Sequence, residues 1–242
     1  MIIDSHAHVI LPTEKQLAAM AEAEVDRTVL FVTTPHPELA ADGDAFAAEH
    51  QKLLRVLAGE RSLEEQRRRL VAVTAELATA VAAHPRRLLG FGTAPLGLTA
   101  DQTAQWVETR VVPYRLRGLG EFTPKPGEMD LLEPVFAAAA DCGNLPVWVH
   151  TFFPCGPEDI RALLIIARRH PSVPLIAGHL GGYHWLPLLE AARDTANVYL
   201  DLSAAFSVFP PKFAMKELPE RTLFASDAPY GDPWWRGGWS NG

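Results

Sequence analysis

Cysteine is scarce in this chain of 242 residues: only Cys142 and Cys155 occur, and neither sits in a CxxC or other paired spacing. That excludes a disulfide scaffold and a thiolate metal site, and leaves two reduced, structural thiols as the expectation. An excess of positive charge is missing as well. The 22 Lys+Arg against 29 Asp+Glu give a formal net charge of −7, so nothing holds a polyanion by charge alone and nucleic acid is not expected as a partner. Long apolar runs are absent too. No stretch approaches the roughly 20 residues of a membrane span, and Met1-Ile-Ile-Asp-Ser-His6 lacks the charged and apolar regions of a secretory signal. A cytoplasmic protein with no membrane partner is expected. What is present is a 48% share of hydrophobic residues, enough to bury a sizeable core and to rule out disorder.

Short β-branched or apolar runs recur at Ile2 to His8, Thr28 to Thr33, Leu88 to Ala94, Leu116 to Glu121, Pro146 to His150, Pro174 to His179, Val198 to Leu202 and Thr222 to Ser226. Each reads as a strand. Between them, segments rich in Ala, Leu, Glu and Arg with periodic apolar faces read as helices: Glu14 to Glu24, Ala41 to Leu57, Leu63 to Ala83, Ala100 to Val112, Asp130 to Ala140, Pro157 to Arg169 and Trp185 to Ala196. The second gap holds two of them. Strands alternating with helices predict a parallel sheet, and eight such units close most simply into an α/β (β/α)₈ TIM barrel. With no linker or low-complexity tract in view, residues 1–242 are expected to form one barrel domain with a helical insertion at about 36–84.

The end of the chain departs from this pattern. After Ser226, the run from Asp227 to Gly242 carries too much Pro and Gly for a helix. The barrel is therefore expected to lack, or be truncated at, its eighth outer helix. The uncovered faces of the first and last strands would then expose Ile3, Leu223 and Ala225, to be covered by the Trp234, Trp235 and Trp239 segment or by a second subunit in a homo-oligomer.

A barrel places functional groups at the C-terminal ends of its strands. Reading only those ends yields His6 and His8, Glu121, His150, His179 and Asp227. His6 and His8 are two apart, so both imidazoles point to the same side of a strand. Imidazole nitrogens with carboxylate oxygens favour a borderline divalent metal, Zn²⁺ first, with Mn²⁺, Fe²⁺ or Ni²⁺ as alternatives, as one or two ions. Other histidines have plainer readings. His84 and His170 each precede a proline at a helix end, and His50 lies in the insertion. His36 and His184 fall in loops on the active face and are candidate substrate contacts, as are Thr151, Phe152 and Tyr230, which follow strand ends.

The ordered set DxHxH (Asp4, His6, His8), GLGEF around Glu121, VWVH ending at His150, LIAGHLGG around His179 and LFASDAPYGDP around Asp227 resembles the amidohydrolase superfamily over nearly the whole chain. The likeness is greatest to the amidohydrolase-related branch that includes carboxymuconate-semialdehyde decarboxylase-like enzymes, with TatD-like features. The resemblance implies His6 and His8 as first-strand ligands, His150 and His179 as the fifth- and sixth-strand histidines, and Asp227 as the eighth-strand aspartate. In TatD-like members a fourth-strand glutamate bridges two metals, and Glu121 stands in the fitting place; its plainer reading is a carboxylate paired with Arg115 or Arg117.

A metal-dependent hydrolase is the leading expectation: a metal-activated water cleaves an amide, ester or lactone of a small molecule, Asp227 is the general base, and His179 assists. Three rivals stand beside it. A mononuclear, non-oxidative decarboxylase would leave Glu121 unligated and bring an arginine, Arg236 for instance, to a substrate carboxylate. A TatD-like nuclease would need a cationic groove. A non-catalytic metal-binding scaffold would have to keep an intact set of polar groups without using them.

Overall fold

The computed structural model describes residues 1–33, 40–57 and 62–230. Eight strands follow in chain order: β1 (Ile3–His8), β2 (Arg27–Phe31), β3 (Leu88–Gly90), β4 (Leu119–Phe122), β5 (Val147–His150), β6 (Leu175–Gly178), β7 (Val198–Asp201) and β8 (Thr222–Leu223). Strict alternation sorts their side chains. From β2 and the residue after it, Leu30 and Val32 face the helices while Val29 and Phe31 face inward, and β5 repeats this with Val147 and Val149 outward and Trp148 inward. The inner layer is Val29, Phe31, Phe91, Trp148 and Ile176, with Leu89, Tyr199 and Leu223 against it. A larger layer between strands and helices includes Leu77, Leu119, Phe136, Leu163 and Leu200. This double burial explains why the strands read as apolar runs rather than as half-polar ones.

The strands form two parallel arcs, β1-β2-β3 and β4-β5-β6-β7-β8. Isolated parallel bridges join the arcs at both seams, Gly92 with Leu119 and Ala7 with Ala228. At the first seam the Gly120 amide donates to the Gly92 carbonyl at 2.7 Å, and at the second the Asp227 amide donates to the His6 carbonyl at 2.8 Å. The ring is that of a (β/α)₈ barrel.

The described helices are α1 (Thr13–Glu22), α2 (Gly43–Leu57), α3 (Leu63–Ala83), α4 (Ala100–Arg110), α5 (Glu133–Asp141), α6 (Pro157–Arg169), α7 (Trp185–Arg193) and α8 (Phe209–Glu217). Ser62 with Glu65 and Thr99 with Gln102 form capping boxes that start α3 and α4, each satisfying amides that a helix start leaves open. Helices α2 and α3 both lie between β2 and β3 and make up the expected insertion.

Two expectations need correction. No helix was named between β7 and β8, although the spacing of the strands leaves room for one, and α8 forms there. Its first turn holds Pro210 and Pro211, where the amide has no helical partner to lose. Leu223 and Ala225 are not on an uncovered strip either: Leu223 packs against the barrel interior and Ala225 is buried. Exposed apolar side chains at that seam are Ile2, Ile3 and Phe224. Residues 231–242, with Trp234, Trp235, Arg236 and Trp239, lie outside the described residues, and so does the place of any helix after β8.

Asp4 fastens the second seam. Its buried carboxylate accepts from the Ser226 amide at 2.9 Å, the Ser226 hydroxyl and the His6 amide at 3.2 Å. Asp4→Ala would leave the Ser226 and His6 amides without this acceptor, and the Ser226 hydroxyl with only the His6 carbonyl at 3.4 Å. It is expected to lower the free energy of unfolding by about 2–4 kcal/mol in equilibrium denaturation, and a change within error would show that the seam does not depend on it.

Candidate metal centre

The inward columns of the strands end in polar groups. On β1 the residues Asp4, His6 and His8 occupy alternate positions, and all three are buried. On β5 and β7 the columns continue from Trp148 to His150 and from Tyr199 to Asp201. Under this mouth lies Trp148, fully buried, with its ring centroid 4.2 Å from that of His6 and 5.2 Å from that of His179. Gly178 on β6 makes room for it: a Cβ there would stand 2.0 Å from Cη2 of the indole.

The hydrogen bonds assign the imidazole protons. Nδ1 of His8 lies 3.0 Å from the Val32 carbonyl, which can only accept, so Nδ1 carries the proton and the Nε2 lone pair is left for the mouth. Ser203 does the same for two more rings. Its hydroxyl donates to Asp201, so its oxygen accepts from Nδ1 of His179 at 2.9 Å and of His6 at 3.4 Å. Asp201 is itself held by the Trp148 indole N–H at 3.2 Å and the amides of His179 at 3.3 Å and Ser203 at 2.9 Å.

Three Nε2 lone pairs therefore turn toward two carboxylates. Asp227 Oδ1 lies 3.5 Å from Nε2 of His6 and 3.4 Å from Nε2 of His8. Glu121 Oε2 is 3.5 Å from Nε2 of His8, and its Oε1 is 3.0 Å from Nδ1 of His150 and 3.7 Å from Nε2 of His179. His150 is engaged at both ends, since its Nε2 lies 3.0 Å from the Phe153 carbonyl.

The donor set fits a divalent ion. Nε2 of His6 is buried and has no hydrogen-bond partner, an arrangement that costs free energy unless something binds it. The ligand atoms of His6, His8 and Asp227 lie within 4.8 Å of one another, and so do those of Glu121, His150 and His179. Each Nε2 donor is backed at Nδ1 by an acceptor, as ligating imidazoles are.

Protons compete for the same positions. Burial lowers the pKa of His6 and keeps it neutral. Burial also works against charge on His8 and His179, but Asp227 and Glu121 outweigh it, raising both and bringing His179 to about 9. Glu121 and Asp227 feel the same burial, yet the imidazoles hold both below the ordinary carboxylate range.

The residues expected to touch substrate divide. A cavity of about 450 Å³ opens onto the centre, lined by His8, Glu121, His150, His179 and Asp227 and flanked by Phe152 and Tyr230. Thr151 does not line it. Its buried hydroxyl donates to the Gly178 carbonyl and accepts from the Gly181 amide, which serves the turn after β6. His184 does not line it either, and His36 lies outside the described residues. Asp201, Ser203 and Trp148 were missed, although Asp201 ends the seventh strand and the strand-end rule would have found it. Arg69 and Lys125 also line the cavity and were missed. Arg69 comes from α3 and is steadied by donating to the Thr33 carbonyl.

Two outcomes follow for the metal. Ser203→Ala removes the acceptor behind two ligands and should weaken binding of Zn²⁺ or Mn²⁺ about 10–100-fold by calorimetry; unchanged affinity would show that Ser203 does not orient them. In the metal-free protein, the contribution from His179 is complete below its ordinary pKa of 6.5 and is lost as pH rises through about 9. That from Glu121 and Asp227 is present above their ordinary values of 4.5 and 3.8 and is lost as pH falls. His6, held neutral by burial, runs the other way and loses its contribution as pH falls below 6.5, so stability without metal should peak near pH 6.5, whereas metal affinity should rise with pH toward 9 as protons are displaced. Binding heats that do not vary with the ionisation enthalpy of the buffer would refute proton displacement.

The family model Amidohydro_2, described as amidohydrolase, matches residues 3–241. Among solved structures, the chain is similar to 5-carboxyvanillate decarboxylase LigW from Sphingomonas paucimobilis, with a TM-score of 0.68 and 16% identity over 95% of this chain and 89% of that one. The 2,6-dihydroxybenzoate decarboxylase from Rhizobium aligns with a TM-score of 0.62 and 15% identity over 95% and 87%. A dihydroxybenzoic acid decarboxylase from Polaromonas sp. JS666, with bound manganese and the inhibitor 2-nitroresorcinol, gives 0.61 and 17% over 94% and 86%. At these identities the likeness shows the fold. No curated protein matches.

Proposed function

Since the chain belongs to the amidohydrolase family Amidohydro_2, we propose that it is a metal-dependent, non-oxidative decarboxylase of a hydroxylated aromatic or unsaturated carboxylate. The observation that carries this reading is one cavity holding both the imidazole-carboxylate cluster and two cations, Arg69 and Lys125. Sequence reasoning ranked hydrolysis first. The cations and the activities of the similar structures, two of them dihydroxybenzoate-type decarboxylases, favour decarboxylation instead. The net charge of −7 continues to argue against a nuclease.

His6, His8 and Asp227 would hold the ion, with His179 beside them. When bound it supplies a positive charge that stabilises negative charge developing on substrate oxygens; zinc and manganese both suit the donors. The chain supplies the rest. Arg69 and Lys125 draw a carboxylate into the cavity by charge, and Phe152 and Tyr230 offer ring faces to an aromatic body.

Chemistry then needs one proton moved. Asp227, kept ionised by His6 and His8, accepts the proton of a substrate hydroxyl at its carboxylate oxygen. The bond from ring to carboxylate breaks, carbon dioxide leaves, and the electron pair stays on the ring carbon. Asp227 returns the proton to that carbon, so no oxidant or reductant is required.

One observation favours a second reading. Glu121 lies between the two ligand groups, within 3.5 Å of His8 and 3.0 Å of His150, a placement suited to bridging two ions in a hydrolase. The metal-loaded protein should release carbon dioxide from hydroxybenzoates and, in D₂O, place deuterium on the vacated carbon. Asp227→Asn should slow turnover about 10²–10⁴-fold. Cleavage of amides, esters or lactones without carbon dioxide release, by protein holding two ions per chain, would overturn the proposal in favour of hydrolysis.

A further inference from the structure

The cavity is larger and more apolar than a compact hydroxybenzoate needs. At about 450 Å³ it falls in the range that takes drug-sized ligands. Its lining also differs by element. The strand ends contribute the polar floor already described, whereas α2 and α3 contribute Leu53, Val56, Leu63 and Leu70, and the loop after β3 adds Leu96. Leu53, Val56, Leu63 and Leu96 are only half-buried. Apolar surface left open inside a concave wall gains by meeting an apolar ligand.

The insertion is anchored to this task. The Gln66 side chain of α3 accepts from the Leu96 amide at 3.3 Å, and Arg69, one turn on, donates to the Thr33 carbonyl. Both bonds fix α3 over the loops that follow β2 and β3, so the leucines beside them form a standing wall. Arg69, on the same helix as Leu63 and Leu70, lines the same cavity. A ligand that satisfied floor, cation and wall together would be an acid at one end and a hydrocarbon at the other.

We propose that the natural substrate is amphipathic: a carboxylate-bearing ring or conjugated acid whose apolar substituent packs on the α2–α3 wall. This inference rests on the decarboxylase reading for the reaction and goes beyond it for the substrate.

The test uses the metal-loaded, full-length protein and a series of 2-hydroxybenzoic acids carrying n-alkyl chains from methyl to hexyl, with binding read by calorimetry and reaction by carbon dioxide release. Dissociation constants should fall about fourfold for each added methylene until the wall is filled, the equivalent of about 0.8 kcal/mol per group. Leu53→Gln together with Val56→Thr, both half-buried and replaced by side chains of similar volume, should flatten that trend. Leu54→Gln, exposed on the same helix and not lining the cavity, should keep it.

A flat series in the unaltered protein, with compact hydroxybenzoates turned over as well as the alkylated ones, would overturn the amphipathic substrate and leave the decarboxylase reading standing. A steep series that the wall substitution flattens, with no carbon dioxide from any member, would overturn the decarboxylase reading and leave the wall as a ligand site.

Discussion

A dry layer one pair of residues below the mouth governs the chemistry above it. Trp148 fills the barrel axis, touches the rings of His6 and His179, and donates its indole N–H to Asp201. Because the indole excludes water there, the polar groups must satisfy one another. Asp201 gathers Ser203, Ser203 gathers two Nδ1 atoms, and the lone pairs that remain all face one way. The orientation of the ligands is thus set by packing as much as by the ligands' own identity.

The same burial makes the centre a competition between proton and cation. Four imidazoles and two carboxylates share a space where unpaired charge is costly, so the carboxylates raise the pKa of His179 and the imidazoles lower that of Asp227. A divalent ion held there would compete with those protons for the Nε2 lone pairs of His6 and His8, and ionised Asp227 would serve both to hold it and to take and return a proton in the proposed reaction.

The insertion sets the character of the cavity. In a barrel the floor comes from strand ends, but walls come from loops that vary freely. Here the long segment between β2 and β3 folds into α2 and α3, and it brings leucines and Arg69 to one side of the centre. Fold similarity at 15–17% identity speaks for the barrel and not for this wall.

The sequence by itself determined the order of strands and helices and the polar residues at the strand ends. Period-two alternation and the barrel's polarity require His6, His8, His150 and Asp227 to sit together wherever the chain closes. It left α8 hidden, because proline at Phe209-Pro-Pro breaks a helix interior but not its first turn. It misdirected Leu223, because facing is decided by the register of a two-residue strand and not by its composition. Thr151 was equally ambiguous, since a hydroxyl after a strand end can face a cavity or hold a turn. Only the tertiary structure decided that Asp201 and Ser203 fix the imidazole protons, that Trp148 seals the floor, and that Arg69 reaches the cavity from an insertion helix. These are contacts between residues far apart in the chain, and local pattern carries no information about which of them meet.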